Sequence, residues 1–174
     1  KRMTNEIKLT ILLARKGAPV PAIWDVDIDE AKIIMEKIEG KPLIEILRSN
    51  EHDEELLIKV GRSIRELHRN AVNHGDLSTN NILISDNRDA FLIDLGLATR
   101  EYDLEGFGID LHVLHEILRA SHPDVKGAMD LVLKGYSQLD EELGKPEAAP
   151  GGFPPDAEDV LSLIHISEPT RLEP

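Results

Sequence analysis

"NHGDLSTNNILISDNRDAFLIDLGLA", residues 73–98, sets polar chemistry between two apolar runs. Asp76 and Asn81 are five residues apart, and Asp94 follows Asn81 by thirteen. "NILIS" and "AFLIDL" read as short strands flanking the turn "DNRD". Two acids and an amide therefore stand at the ends of apolar strands. A carboxylate, an amide oxygen and a second carboxylate across a hairpin are hard oxygen ligands of the kind a divalent cation takes. Magnesium suits such a set, because it needs few protein ligands and keeps phosphate oxygens and water for the rest. Asp76 is then free to orient a hydroxyl or a water. As isolated turn residues these side chains would mean little; spaced this way with strands between them, they carry a functional reading.

Outward from this stretch, the 174-residue chain reads as one globular domain with 41% apolar residues. Its net charge of −13 argues against a broad nucleic-acid footprint. It has no cysteine, which excludes disulfides, thiolate catalysis and Cys-based zinc. No apolar run approaches a membrane span, so a cytoplasmic protein is expected. "KRMTNEIKL" reads as mid-helix, which implies a missing N-terminus.

Met3, Ile7, Ile11 and Ala14 recur at helical spacing up to Gly17. "AIWDVDIDEAKIIMEKI" reads as two strands, and "GKPLIEIL" as a helix start with Pro42 in its first turn. Residues 53–70 form the clearest amphipathic helix, whose Arg62, Arg65 and Arg69 read as a solvated stripe partnered by Glu66. "IDLHVLHEILRA" and "VKGAMDLVLKGY" read as helices, "GKPEAAPGGFPPD" as a loop, and "AEDVLS" as a last helix start. Strands do not alternate with helices, so a doubly wound parallel sheet is not expected.

An Asp in a loop, an Asn five residues on and an Asp-x-Gly after the next strand form the protein-kinase arrangement. In it Asp76 is the base or orienter, and Asn81 and Asp94 are the metal ligands. Two departures stand out. Gly75 replaces the Arg that regulated kinases carry before the catalytic Asp, and only fifteen residues, without Ala-Pro-Glu, separate Asp94 from Asp110. No peptide-docking activation segment fits there. By order along the chain, Met35 is the gatekeeper, the Glu36 carbonyl and Ile38 N–H are the adenine contacts, and Leu83 floors the base. Taken alone, Met35 and Leu83 would read as ordinary core. Asp110 is expected at the start of its helix, either as a macrodipole acid or as an acceptor pinning the catalytic loop, with His74 as further support. Glu6 stands where a kinase helix carries the Glu that pairs with a phosphate-binding Lys. His112 and His115 lack an evident third metal ligand, and His112 is expected to cap or pack.

"HGDLSTNNIL", "LIDLGLA", "GIDLHVLHEILRASHP" and "VLKGY" resemble the small atypical kinase subunit of the KEOPS complex, the bud-site-selection kinase family. "NEIKLTILLARKGAPVP" resembles its αC helix and connector, and "IIMEKIEG" its hinge. The likeness runs over roughly residues 2 to 161. It implies an α+β, protein-kinase-like fold: an N-lobe remnant and hinge over residues 1–38, and a mainly helical C-lobe over 39–162. It implies ATP and Mg2+ as cofactors and Ser/Thr kinase or ATPase activity in making threonylcarbamoyladenosine in tRNA. Implied partners are a threonylcarbamoyl-transferase subunit, fused to the kinase in many archaea, a small dimerising subunit, and tRNA indirectly. The family's Gly-rich loop and phosphate-binding Lys would lie before residue 1, so weak or no ATP hydrolysis is expected of this chain alone. "LSLIHISEPTRLEP" resembles translated sequencing adapter, and 163–174 is expected to be a non-native or disordered tail. The His-Gly-Asp motif is shared with aminoglycoside- and choline-type phosphotransferases, which stay open as an alternative beside a non-catalytic scaffold.

Overall fold

A computed structural model describes residues 1–148 and 152–167. Helix α1 (Arg2–Arg15) leads into an antiparallel hairpin of β1 (Ile23–Asp27) and β2 (Lys32–Met35). A linker of 36–39 joins it to the larger part. There β3 (Gly40–Pro42), β5 (Ile82–Ser85) and β6 (Ala90–Leu92) make an antiparallel sheet in the order β3-β5-β6. Helices α2 (Leu43–Arg48), α3 (Glu54–Arg69), α4 (Leu104–Ser121), α5 (Ala128–Leu143) and α6 (Ala157–Ser167) supply the bulk. A second short ladder, β4 (Val72–Asn73) with β7 (Thr99–Arg100), brackets the loop that carries Asp76.

Helix α3 is the axis of the core. Asp53 caps it by accepting the Leu56 N–H at 2.8 Å, as an N-cap acid does. Leu56, Leu57, Val60, Ile64 and Leu67 recur on one face and are fully buried. This face meets α5 at backbone contact. A Cβ on Gly61 would fall on the Val132 carbonyl, and one on Gly135 on the Ile58 carbonyl. Only glycine at both positions lets the two helices cross this closely. Leu9 and Leu13 of α1 join the same core, as do Val160 and Ile164 of α6.

Four features differ from the sequence expectations. Gly40–Pro42 is a strand paired with β5, not the first turn of a helix; Pro42 is extended (φ −63°, ψ 148°) and stands at the N-cap of α2. The pairing is non-local, and a residue preceding Pro is biased to extended backbone. Helix α4 begins at Leu104, capped by Asp103, so Asp110 lies in its second turn and not at its start. Gly106 and Gly108 weaken the helical signal there. Arg62, Arg65 and Arg69 are not a solvated stripe, because α5 brings Asp140 and Glu142 against them, while Glu66 stays within electrostatic reach of Arg62 and Arg69. His112, expected to cap or pack, is exposed. Residues 163–167 continue α6, with Ile164 buried, while 168–174 of the expected tail lie outside the described residues. No helix among the described residues is long and apolar enough to cross a membrane.

Candidate active site

The loop between β4 and β5 exposes Asp76 and is tied down from below. His74 is buried; its Nε2–H donates to the Ile93 carbonyl at 2.8 Å, which leaves Nδ1 to accept the Asp76 N–H at 3.1 Å. Asn81 donates through its amide nitrogen to the Asp76 carbonyl at 2.8 Å and to Asp76 Oδ2 at 3.2 Å. With its nitrogen so engaged, Asn81 turns its amide oxygen the other way. The β5–β6 register sets Ile82 opposite Leu92, and the Ile93 N–H donates to the Asn81 carbonyl at 3.0 Å. Asp94 is the next residue, so the hairpin delivers Asn81 and Asp94 to one edge. Asp94 holds φ at +58°, a left-handed backbone that few residues other than glycine take and that clusters at functional sites.

Gly75 also has a positive φ, +82°, and a Cβ there would strike the Leu97 carbonyl. The segment after Asp94 therefore lies directly on the loop that carries Asp76. Gly at 75 and the short segment are two sides of one packing arrangement: a larger residue would have to displace Leu97.

Beneath the loop runs a buried polar chain. Asp110, 2% exposed, accepts the His74 N–H at 2.7 Å and the Gly75 N–H at 3.0 Å. His68 Nε2 lies 2.9 Å from the same carboxylate, and His68 Nδ1 lies 2.6 Å from the Tyr136 hydroxyl. Arg65 donates to that hydroxyl at 3.2 Å and forks onto both oxygens of Asp140 at 2.8 and 3.0 Å. Asp140 in turn accepts the Ala157 N–H at the start of α6. One set of protons satisfies everyone: Arg65 to Tyr136, Tyr136 to Nδ1 of a neutral His68, and Nε2–H to an ionised Asp110. Burial holds His68 below its usual value against the pull of Asp110. Burial also opposes the Asp110 charge, but His68 and the two backbone N–H groups outweigh it and keep the acid below the ordinary carboxylate range. Burial pushes the Tyr136 phenol up, which keeps it a proton donor.

The upper wall is α1. Asn5 donates to the Ala98 carbonyl at 2.7 Å, and Arg2 approaches Asp94 Oδ1 and Oδ2 at 3.3 and 3.4 Å. Glu6 lies on the same side; burial raises its pKa, and the nearby Asp94 charge adds to the effect. At the linker, the Glu36 N–H donates to the Ala22 carbonyl at 2.7 Å and its side chain accepts the Ala22 N–H at 3.1 Å. That clamp fixes the strand end at Met35 while engaging neither the Glu36 carbonyl nor the Ile38 N–H. Met35, Ile38 and Leu83 are half-buried, with Leu83 on β5 opposite Pro42.

The structure thus gathers Asp76, Asn81 and Asp94 with Glu6 above them and His74 and Asp110 below. Sequence reasoning missed Arg2, Asn5, His68, Arg65 and Tyr136. The i,i+3 spacing of His68 from Arg65 on the buried side of α3 was a usable signal; nothing local marked Tyr136 or Asn5. Among the described residues no three His, Cys, Asp or Glu side chains form a metal cage. Two carboxylates and an amide fit a cation that keeps phosphate and water ligands, and Asp94 already draws a cationic group to both of its oxygens.

A family model for the RIO domain matches residues 2–121. Over 142 residues the chain is 33% identical to the KEOPS complex subunit Bud32 of Pyrococcus abyssi, covering 80% of this chain and 64% of that protein. A probable serine/threonine-protein kinase BUD32 homolog of Archaeoglobus fulgidus is 32% identical, with 78% and 66% covered. A probable bifunctional tRNA threonylcarbamoyladenosine biosynthesis protein of Methanosarcina mazei is 35% identical, with 79% and 24% covered. The chain thus spans about two thirds of the first two relatives and about a quarter of the fused one. Among solved structures, WbdD in complex with the kinase inhibitor LY294002 superposes with a TM-score of 0.54 at 20% identity, covering 80% of this chain and 36% of that one. That likeness speaks for a protein-kinase-like fold, and the match of the family model over residues 2–121 shows that the chain belongs to the RIO domain family.

Proposed function

We propose that the chain is the catalytic part of an ATP-dependent phosphoryl transferase, a Ser/Thr kinase or ATPase that supports threonylcarbamoyladenosine formation in tRNA within a KEOPS-like complex. One observation carries the reading: Asn81 bonds the Asp76 carboxylate, the Ile93 N–H on the Asn81 carbonyl sets Asp94 at the same end of the hairpin, and Asp110 pins the loop that leads to Asp76. Asn81 and Asp94 would hold Mg2+, and the bound Mg2+–ATP would supply the electrophilic phosphoryl group. Asp76 accepts the proton of the attacking hydroxyl or water, and Asn81 holds its carboxylate in place. The adenine would lie between Leu83 and the linker, with Met35 behind it and the Glu36 carbonyl and Ile38 N–H at its edge; Glu6 would partner the phosphate-binding cation.

The short run of fifteen residues from Asp94 to Asp110, without Ala-Pro-Glu, supports ATPase over peptide kinase, because it leaves no segment on which a peptide would dock. A threonylcarbamoyl-transferase subunit, in trans or fused, a small dimerising subunit, and tRNA through the complex are the proposed partners, in line with the names of the relatives. The site is cytoplasmic on this reading. The test is ATP hydrolysis by the full-length protein with and without the transferase subunit. Stimulation by the subunit, lost by about 10²-fold or more in Asp76→Ala and Asp94→Ala, is expected. Hydrolysis unaffected by both substitutions would overturn the proposal.

A further inference from the structure

Asp94 is the residue proposed to ligate metal, yet its carboxylate is already occupied by a side chain of the same molecule. The Arg2 guanidinium lies 3.3 Å from Oδ1 and 3.4 Å from Oδ2 through one nitrogen, so it faces the same side of the carboxylate that a cation would use. The Arg2 side chain is 61% exposed, with one flank along the backbone. It lies against Gly96, where its Nε and Cγ occupy the space a Cβ would need. Asn5, one turn along α1, anchors the same helix face to the Ala98 carbonyl. Arg2 therefore lies between α1 and the loop after β6, beside the place where a nucleotide's phosphates would meet Asp94.

We infer that Arg2 is an exchangeable counter-ion: it holds Asp94 before metal–nucleotide enters, and then leaves the carboxylate for the phosphates. This rests on the metal-nucleotide reading of the site. A guanidinium and a divalent cation repel one another and compete for the same oxygens, so the Asp94 contact must loosen when metal binds. The same guanidinium is suited to phosphate oxygens, with donors in a planar fork. No Lys or Arg occurs between Asp76 and Asn81 in "DLSTNN", so the catalytic loop offers no cation of its own. Arg2 is a positioning and binding residue here, not a proton-transfer group.

The two halves of the inference pull an Arg2→Gln variant in opposite directions, which a merely structural role would not do. Mn2+ alone, followed by electron paramagnetic resonance, should bind the variant chain more tightly, because its competitor is gone. Mg2+–ATP, followed by calorimetry, should bind it more weakly, because a phosphate contact is gone. An exposed ion pair sustains about a two- to fivefold change in each. Arg2→Lys, which keeps the charge, should lie nearer the parent in both. No change in either affinity, or change of both in one direction, overturns the inference. Asp94→Asn is the separate control on the underlying reading: if it binds Mn2+ and Mg2+–ATP as well as the parent, the site itself is misassigned.

Discussion

The α3–α5 half and the α1–β1–β2 half of the molecule are built differently. The first is locked by backbone contact at Gly61 and Gly135, by a run of fully buried leucines, and by a polar chain from Asp140 to the Asp76 loop. The second is a helix and a two-stranded sheet whose Trp24 is 69% and Ile34 54% exposed. It meets the rest through Leu9 and Leu13, and through Asn5 and Arg2 at the loop after Asp94. The candidate site lies on the seam. On the proposed reading, its proton-accepting side is held by the rigid half and its nucleotide side by the half with few buried groups, the kind of division expected where a site must open and close.

Substitutions sharpen this contrast in order of size. Asp110→Ala should cost the most, about 3–5 kcal/mol in chemical denaturation, because it strands the His74 and Gly75 N–H groups and His68 in the interior. Gly61→Ala should follow at about 3 kcal/mol, by forcing α3 and α5 apart. Asn5→Ala should cost about 1 kcal/mol and raise hydrogen exchange in α1 while leaving α3 and α5 protected. Trp24→Ser should change stability by less than about 0.5 kcal/mol. Equal costs in both halves would erase the distinction.

Acid should act on the rigid half first. His68 is neutral in the fold with its pKa lowered, chiefly by burial, so the unfolded chain binds more protons below the usual histidine value of about 6.5. Stability should then fall as pH drops from about 6.5, and the fall should be shallower in His68→Gln. Asp110, with its pKa depressed, contributes stability above the ordinary carboxylate value of about 3.9, and loses it as pH falls through its lower folded value. Urea midpoints across that range read both.

Much of the architecture is legible along the chain, because it follows from local pattern. The α3 stripe, the hairpin around "DNRD" and the Asp76–Asn81–Asp94 spacing each fit within one or two elements. What the chain conceals is what forms only when distant elements meet. Gly40–Pro42 becomes a strand because Ile84 is there to pair with Lys41. Arg65 looks like a surface residue until α5 brings Asp140 and Tyr136 to it, and it is then fully buried. In the sequence, Gly75 marks only the absence of a regulatory arginine. Its packing gives a positive reason: the Leu97 carbonyl takes up the space of a side chain. Arg2 and Asn5 carry no motif, and their role follows only from the docking of α1 on the loop after Asp94.

The central claim is that Asn81 and Asp94, brought together by one hairpin, form with Asp76 a single metal–nucleotide site. Calorimetric titration of the full-length protein with Mg2+–ATP tests it most directly, with Asn81→Ala and Asp94→Asn measured beside the parent and beside Asp89→Asn at the far end of the same hairpin. The account predicts a loss of about tenfold or more in affinity for the first two, a change of about 1.4 kcal/mol or more, with Asp89→Asn at the parent value. Parent-like affinity in both Asn81→Ala and Asp94→Asn would contradict it.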